Sequence, residues 1–258
     1  MIPHQRRQVI VKELQQNKTC TIAQFIKIMS VSAATIHRDL MQLEESGIIR
    51  KVRGGATIAD TSDGDEPRVE QRVDIRLKMN IEEKREIAKK AVRLIRDETS
   101  IFLDHSSSSI YVARELKAVE LKNLVVVTNS LKVLDELEGS TFINLICPGG
   151  ILQHQWSALS GQSTLDFLSG VNFDQIFISC GGISIERGLM TAFPFIAESL
   201  KIAARVAREI NLLVDHSKFS KISAFPIMPV TCMTRIIVDS KLDPSVADRY
   251  RNLGIEIV

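Results

Sequence analysis

Over the first 57 residues the apolar positions recur at helical steps and then change to alternation. Val9, Ile10 and Leu14 fall on one side of a first helical stretch. Thr21-Ile22-Ala23-Gln24 has the pattern of a capping box, in which the threonine hydroxyl accepts from a free backbone N–H and the glutamine reaches back. Behind it, Ile22, Phe25, Ile26 and Met29 form a second stripe. Ser30-Val31-Ser32 breaks that stripe, and Ser32 is placed to cap a third helix whose inward positions are Ala33, Ile36, Leu40 and Leu43. Gly47 is placed to end it. Ile48, Ile49 and Val52 then alternate with Arg50, Lys51 and Arg53, and Gly54-Gly55 supplies a turn. Three short helices followed by a basic hairpin predict a winged helix-turn-helix unit over residues 1–57.

Residues 59–74 are acidic, small and turn-forming, with one proline, and they read as part of an exposed connector spanning 58–74. Helical spacing returns in EEKREIAKKAVRLIR (82–96) through Ile87, Ala91, Leu94 and Ile95, with its charges read as a solvated face. From about residue 75 the grammar is repetitive. Short apolar runs at 101–104, 124–128, 143–147, 175–180, 211–215, 235–239 and 255–258 are mostly separated by helical patterns. Such alternation predicts an α/β domain over 75–258, doubly wound, with a mainly parallel sheet.

Charge adds a partner to this outline. Residues 1–57 hold nine Lys/Arg against four Asp/Glu, which leaves 24 of the 33 basic and 27 of the 31 acidic residues for the rest. A cationic head on a mildly acidic body fits contact with a polyanion. Within the third helix, Ser32, Ala34, Thr35, His37 and Arg38 face outward at the end that enters a major groove in such units. Arg38 can grip a guanine edge or a phosphate, Thr35 a phosphate or a thymine methyl, and His37 either. Arg50, Lys51 and Arg53 of the wing can lie along phosphates. The four cysteines are far apart without a CxxC pair, so neither a disulfide frame nor a metal site is expected. No membrane span and no leader pattern is read, and a cytoplasmic location is expected.

The predicted strand ends carry the second set of chemistry. Asp104 and Ser106, Ser107 and Ser108 follow the first strand, and Thr128, Asn129 and Ser130 the second. Gly149 and Gly150 follow the third, Gly181 and Gly182 the fourth, and Asp215-His216-Ser217-Lys218 the fifth. In open α/β sheets ligands bind outside the carboxyl ends of strands. The serine run leads into a helix, whose N-terminal N–H groups suit a phosphate, while Asp104 and the hydroxyls suit a sugar.

The QRR-start helix, SVSAATIHRDLMQLEESGIIRKVRGGA and the α/β remainder resemble the DeoR family of bacterial transcriptional regulators over almost the whole chain. The family helix usually reads T-I-R-R-D-L; here His37 stands in place of an arginine. Its Asp-x-Gly-Ser-Thr loop corresponds to Asp104–Ser108, with Ser106 in place of the glycine. Thr128-Asn129-Ser130, Pro148-Gly149-Gly150, Gly161 and Asp215-His216-Ser217-Lys218-Phe219 match family motifs, and an acidic helix residue matches Glu198, with Lys201 one turn on. The resemblance implies a C-terminal domain similar in fold to ribose-5-phosphate isomerase that senses phosphorylated sugars. It implies double-stranded operator DNA and a phosphorylated sugar as partners, no cofactor, and a homodimer or homotetramer. The expected function is repression of a carbohydrate-metabolism operon. Two rivals stand beside it. One is an isomerase-like enzyme using Glu198, Asp104 and Lys218, and the other is an adaptor that docks proteins through its winged head.

Overall fold

The computed structural model describes residues 3–17, 19–45, 49–52, 54–58 and 71–258. The chain divides into two compact units, Met1–Ile75 and Arg76–Val258.

In the first unit the order is α1 (Pro3–Asn17), β1 (Thr19–Thr21), α2 (Ile22–Met29), α3 (Ala33–Glu45), β2 (Ile49–Val52) and β3 (Gly55–Ile58). The capping box forms: Thr21 Oγ1 accepts from Gln24 N at 3.3 Å, and Thr21 N donates to Gln24 Oε1 at 2.7 Å. Ser30 closes α2 in the left-handed region, φ 52°. Ser32 then caps α3, accepting from Thr35 N at 3.2 Å. Ile10, Leu14, Phe25, Ile36 and Leu40 are fully buried in one cluster, each contributing about 2 kcal/mol by leaving water. Ala33, expected to face inward, is exposed, because α3 starts there and its first turn lies beyond the packed face.

The wing is three-stranded rather than a plain hairpin. β3 pairs antiparallel with β2 and also with β1, in the order β1-β3-β2. Of the two glycines, Gly54 lies in the turn, at φ 83°, while Gly55 opens β3. A Cβ on Gly55 would lie 2.2 Å from the Cys20 carbonyl oxygen, so glycine is what lets β1 approach. Arg53, Gly47 and residues 59–70 of the expected connector lie outside the described residues, as does the side chain of Arg50.

Holding the head together is an ion pair that the apolar pattern does not reveal. Arg6 on α1 donates to both carboxylate oxygens of Asp39 on α3, at 2.7 and 3.2 Å, and the Asp39 side chain is 3% exposed. Bidentate geometry compensates a buried carboxylate.

After α4 (Val73–Arg76) and α5 (Ile81–Val92) come β4 (Ser100–Leu103), α6 (Ser107–Leu116), β5 (Leu124–Thr128), α7 (Leu131–Leu137), β6 (Ile143–Ile146), β7 (Ile151–Gln153), β8 (Ala158–Ser160) and α8 (Gln162–Ser169). Then follow β9 (Phe173–Ile178), β10 (Gly182–Ser184), β11 (Gly188–Thr191), α9 (Pro194–Arg205), β12 (Ala207–Leu213), β13 (Phe225–Met228), β14 (Arg235–Ile237), α10 (Pro244–Arg251) and β15 (Glu256–Ile257). All seven apolar runs become strands of one seven-stranded sheet, β15-β14-β12-β9-β4-β5-β6, in which every pairing is parallel. A fully parallel sheet must be covered on both faces, and Phe102, Ile176, Ile178 and Leu212 are buried accordingly.

Two small antiparallel sheets, β7-β8 and β10-β11-β13, are additions that the sequence pattern did not announce. All of their strands have three or four residues, too short to establish an alternation.

Replacing Arg6 by alanine should leave Asp39 buried without its partner and cost the head about 3 kcal/mol, read by urea denaturation followed by circular dichroism. A loss below about 0.5 kcal/mol, the range of ordinary surface changes, would contradict the role given to this pair.

Candidate effector site and nucleic-acid interface

The strand order reverses direction between β4 and β9. From β4 the chain moves outward through β5 to β6, then returns to β9 and proceeds the other way through β12, β14 and β15. The loops after β4 and β9 therefore mark a topological switch point, where open α/β sheets bind their ligands.

Asp104 sits at the end of β4, 1% exposed. Its Oδ2 accepts from Ser179 N, just past β9, at 2.8 Å. Its Oδ1 accepts from Ser106 N at 3.0 Å and from Ser109 Oγ at 2.6 Å. The carboxylate thus ties the two diverging loops together and leaves little capacity for a ligand. Ser106, standing where the family has glycine, caps α6 by accepting from Ser109 N at 3.1 Å. The helix begins at Ser107, so Ser107 and Ser108 occupy its first turn. Their backbone N–H groups have no acceptor within the helix. Both residues are largely buried at the end of the sheet.

The other strand ends are organised in similar ways. Thr128 Oγ1 accepts from Ser130 N at 3.1 Å, and Ser130 Oγ accepts from Val133 N at 3.2 Å, starting α7. Asn129 Nδ2 donates to the Leu159 carbonyl at 3.1 Å. The Gly149 carbonyl accepts from Thr164 Oγ1 at 2.8 Å, and a Cβ on Gly150 would lie 2.2 Å from that same hydroxyl oxygen. Gly182 passes so close to Lys221 that a Cβ would meet its carbonyl oxygen at 2.3 Å, and Gly181 N donates to the Met190 carbonyl at 2.8 Å. These glycines set loop paths. Glu198 is exposed on α9, and among the described residues no hydrogen bond joins it to Asp104 or Lys218.

Beyond β12 a 3-10 turn, His216–Lys218, follows Asp215. Asp215 Oδ1 accepts from Ser217 N at 3.0 Å. Burial pushes its carboxyl up, but the Ser217 hydrogen bond and the Lys218 and Lys84 cations outweigh it and leave it below the usual range. His216 pairs through Nδ1 with Asp239 Oδ1 at 2.9 Å.

Lys84 is the residue that sequence reasoning missed. It is 5% exposed, and its ammonium donates to the Arg76 carbonyl at 2.7 Å and to the Met79 carbonyl. Burial pulls it down to about 8, opposed by Asp215 and assisted by Lys218 and Arg76. Position 84 lies three, four and seven residues before Ile87, Ala88 and Ala91, all buried. That spacing places it on the apolar stripe and was the available signal. A separate open groove, lined by Glu82, Arg85, Glu86, Lys89 and Glu115, lies on the charged outer surface of α5 and α6 and includes none of the strand-end residues.

In the head, Ser32, Ala34, His37 and Arg38 are exposed together along the start of α3, and Thr35 is half-buried with its hydroxyl 2.9 Å from that of Ser32. Lys51 is exposed on β2 but already tied to α3: its N–H donates to Glu44 Oε1 at 2.9 Å, and its ammonium lies 3.4 Å from Glu44 Oε2. That contact ties β2 to α3, and as an exposed pair it contributes little. No helix among the described residues is long and apolar enough to cross a membrane.

A helix-turn-helix head and, on the same chain, a parallel α/β unit with a topological switch point define a ligand-responsive DNA-binding regulator. A family model for the DeoR-like helix-turn-helix domain matches residues 6–62, and one for the DeoR C terminal sensor domain matches residues 79–240. The chain belongs to the DeoR family of transcriptional regulators. It is 31% identical to the HTH-type transcriptional regulator GolR of Listeria innocua, over 100% of this chain and 98% of that protein. It is 29% identical to a putative aga operon transcriptional repressor of Escherichia coli O157:H7, over 98% and 93% of the two chains. Among solved structures, ribose 5-phosphate isomerase A from Methanocaldococcus jannaschii aligns with a TM-score of 0.41 and 23% identity, over 55% of this chain and 56% of that one. Full-length similarity to regulators, with both domain models, identifies a regulator and not an isomerase.

Because Lys84 is held near 8 instead of its ordinary 10.5, the unfolded chain binds a proton that the folded chain has released between those values. Its contribution to stability therefore rises with pH from about 8 to about 10.5, and below that window its buried charge is a constant cost. Urea titrations at pH 7 and pH 9.5 should show wild type gaining on Lys84→Met at the higher pH. A stability difference independent of pH would remove the assignment.

Proposed function

We propose that this protein represses a carbohydrate-metabolism operon and is released from its operator by a phosphorylated sugar. The head, which runs through the end of β3 at Ile58 rather than stopping at 57, binds DNA, and the body after α4 (Val73–Arg76) senses and oligomerises, so the connector is shorter than the expected 58–74. The observation that carries this reading is the reversal of strand order, where the Asp104 carboxylate fixes the first turn of α6 across from β9. Ser107 and Ser108 with their backbone N–H groups receive the phosphate, assisted by the helix dipole and by Lys218. Asp104 and Ser106 hold that loop in shape, and Thr128, Asn129 and Ser130 face the sugar. Gly149, Gly150, Gly181 and Gly182 admit the ligand close to backbone, and Glu198 borders the site. The relative from Escherichia coli O157:H7, named for repression of an operon, supports the sign of regulation.

Ser32, Ala34, Thr35, His37 and Arg38 enter the major groove, and Arg50, Lys51 and Arg53 follow the phosphates. One head spans too few base pairs for tight binding, so a homodimer or homotetramer in the cytoplasm presents paired heads to repeated half-sites. The ligand prefers the arrangement of sensor domains that does not match operator spacing.

Two alanine variants separate the two activities. Arg38→Ala should weaken binding to a duplex selected from a random pool by about tenfold and leave sugar-phosphate binding unchanged. Lys218→Ala should weaken sugar-phosphate binding by about tenfold and leave ligand-free DNA binding unchanged. Equal loss of both activities in both variants, with folding intact, would overturn the division of labour.

A further inference from the structure

The β7-β8 hairpin is fastened to the loop after β5. Leu131 N donates to the Ser157 carbonyl at 2.8 Å, and Leu159 N donates to the Asn129 carbonyl at 2.8 Å. An antiparallel bridge joins Ser130 and Ala158. At the hairpin turn sits Trp156, 8% exposed, packed edge-on against Phe193 at 4.6 Å and Phe195 at 5.3 Å between ring centroids. Those phenylalanines open α9, the helix of Glu198. Trp156 therefore joins the Thr128–Ser130 loop to the start of α9.

Two buried polar atoms in this corner have no hydrogen-bond partner among the described residues: Asn129 Oδ1 and Trp156 Nε1. The Asn129 amide is oriented by its Nδ2 bond to the Leu159 carbonyl, so its free atom is the oxygen. One orphan can only accept and the other can only donate. Buried polar groups are rarely left so, and an unmade bond here calls for an explanation. A second anion would face the Asn129 oxygen, acceptor against acceptor. An ammonium would face the indole N–H, donor against donor. A hydroxyl both accepts and donates and answers either atom.

We propose that Trp156 is a specificity residue of the strand-end site, its indole N–H donating to a sugar hydroxyl while Asn129 Oδ1 accepts from one. The ligand is then a polyhydroxylated phosphate ester, recognised at its sugar as well as at its phosphate. The proposal rests on the sensing role given to the strand-end site.

Trp156 is the sole tryptophan of the chain, so its emission reports on this corner alone. The full-length protein is titrated with hexose 6-phosphates, pentose 5-phosphates and inorganic phosphate, by fluorescence and by calorimetry. A sugar phosphate should bind and change the emission saturably, whereas inorganic phosphate leaves the emission unchanged. Trp156→Phe keeps an aromatic ring and should bind that sugar phosphate about tenfold more weakly, with inorganic phosphate unaffected. On wild type, at least one deoxy analogue of the responding sugar phosphate should bind about tenfold more weakly, a measurement independent of the variant's folding. Equal sugar-phosphate affinity in both proteins, or deoxy analogues all as tight as the parent, would overturn the role of Trp156 and leave sensing intact. No calorimetric binding of any sugar phosphate would overturn the sensing role and this proposal together.

Discussion

The sensor unit depends on one carboxylate. Asp104 stands where the strand order reverses, and its two oxygens reach in two directions, to the turn that starts α6 and to the backbone just past β9. The strands β4 and β9 are paired there but their connections part ways, and the carboxylate fixes one loop against the other. A buried carboxylate that accepts three hydrogen bonds is compensated for its lost hydration and is rigid. That rigidity holds the serines of α6 in place. The same residue that suggested a sugar ligand by its chemistry thus acts mainly as the frame for the residues beside it.

The head is built on a parallel logic of a few fixed points. Arg6 and Asp39 clamp α1 to α3, the capping box sets the start of α2, and the missing side chain of Gly55 lets β1 join the wing. With those fixed, Ala34, His37 and Arg38 of α3 remain exposed. A recognition surface must be held from behind, since side chains engaged with their own protein are less free to read a base.

Periodicity exposed much of this. The capping residues Thr21, Gln24 and Ser32 are local signals, and each makes its expected bond. The seven apolar runs were legible because strands buried on both faces read as continuous hydrophobic stretches. What stayed hidden is non-local. Arg6 and Asp39 are 33 positions apart and look like surface charges. Asp104 and Ser179 are 75 apart, and a backbone N–H carries no sequence signature. Lys84 passed for a solvated charge because its residue type outweighed its position on the apolar stripe. The β7-β8 hairpin has strands of three residues, below the length at which alternation can be seen.

If the switch-point site governs the head, ligand and DNA must be thermodynamically linked, each weakening the other by the same factor. The most direct measurement is the dissociation constant of the full-length protein for a selected duplex, with and without a saturating sugar phosphate that binds it, for wild type and for Asp104→Asn. The account predicts at least about tenfold weaker DNA binding in wild type with ligand and no such response in the variant, whose ligand-free DNA affinity is unchanged. DNA affinity unmoved in wild type by every sugar phosphate that binds would contradict it.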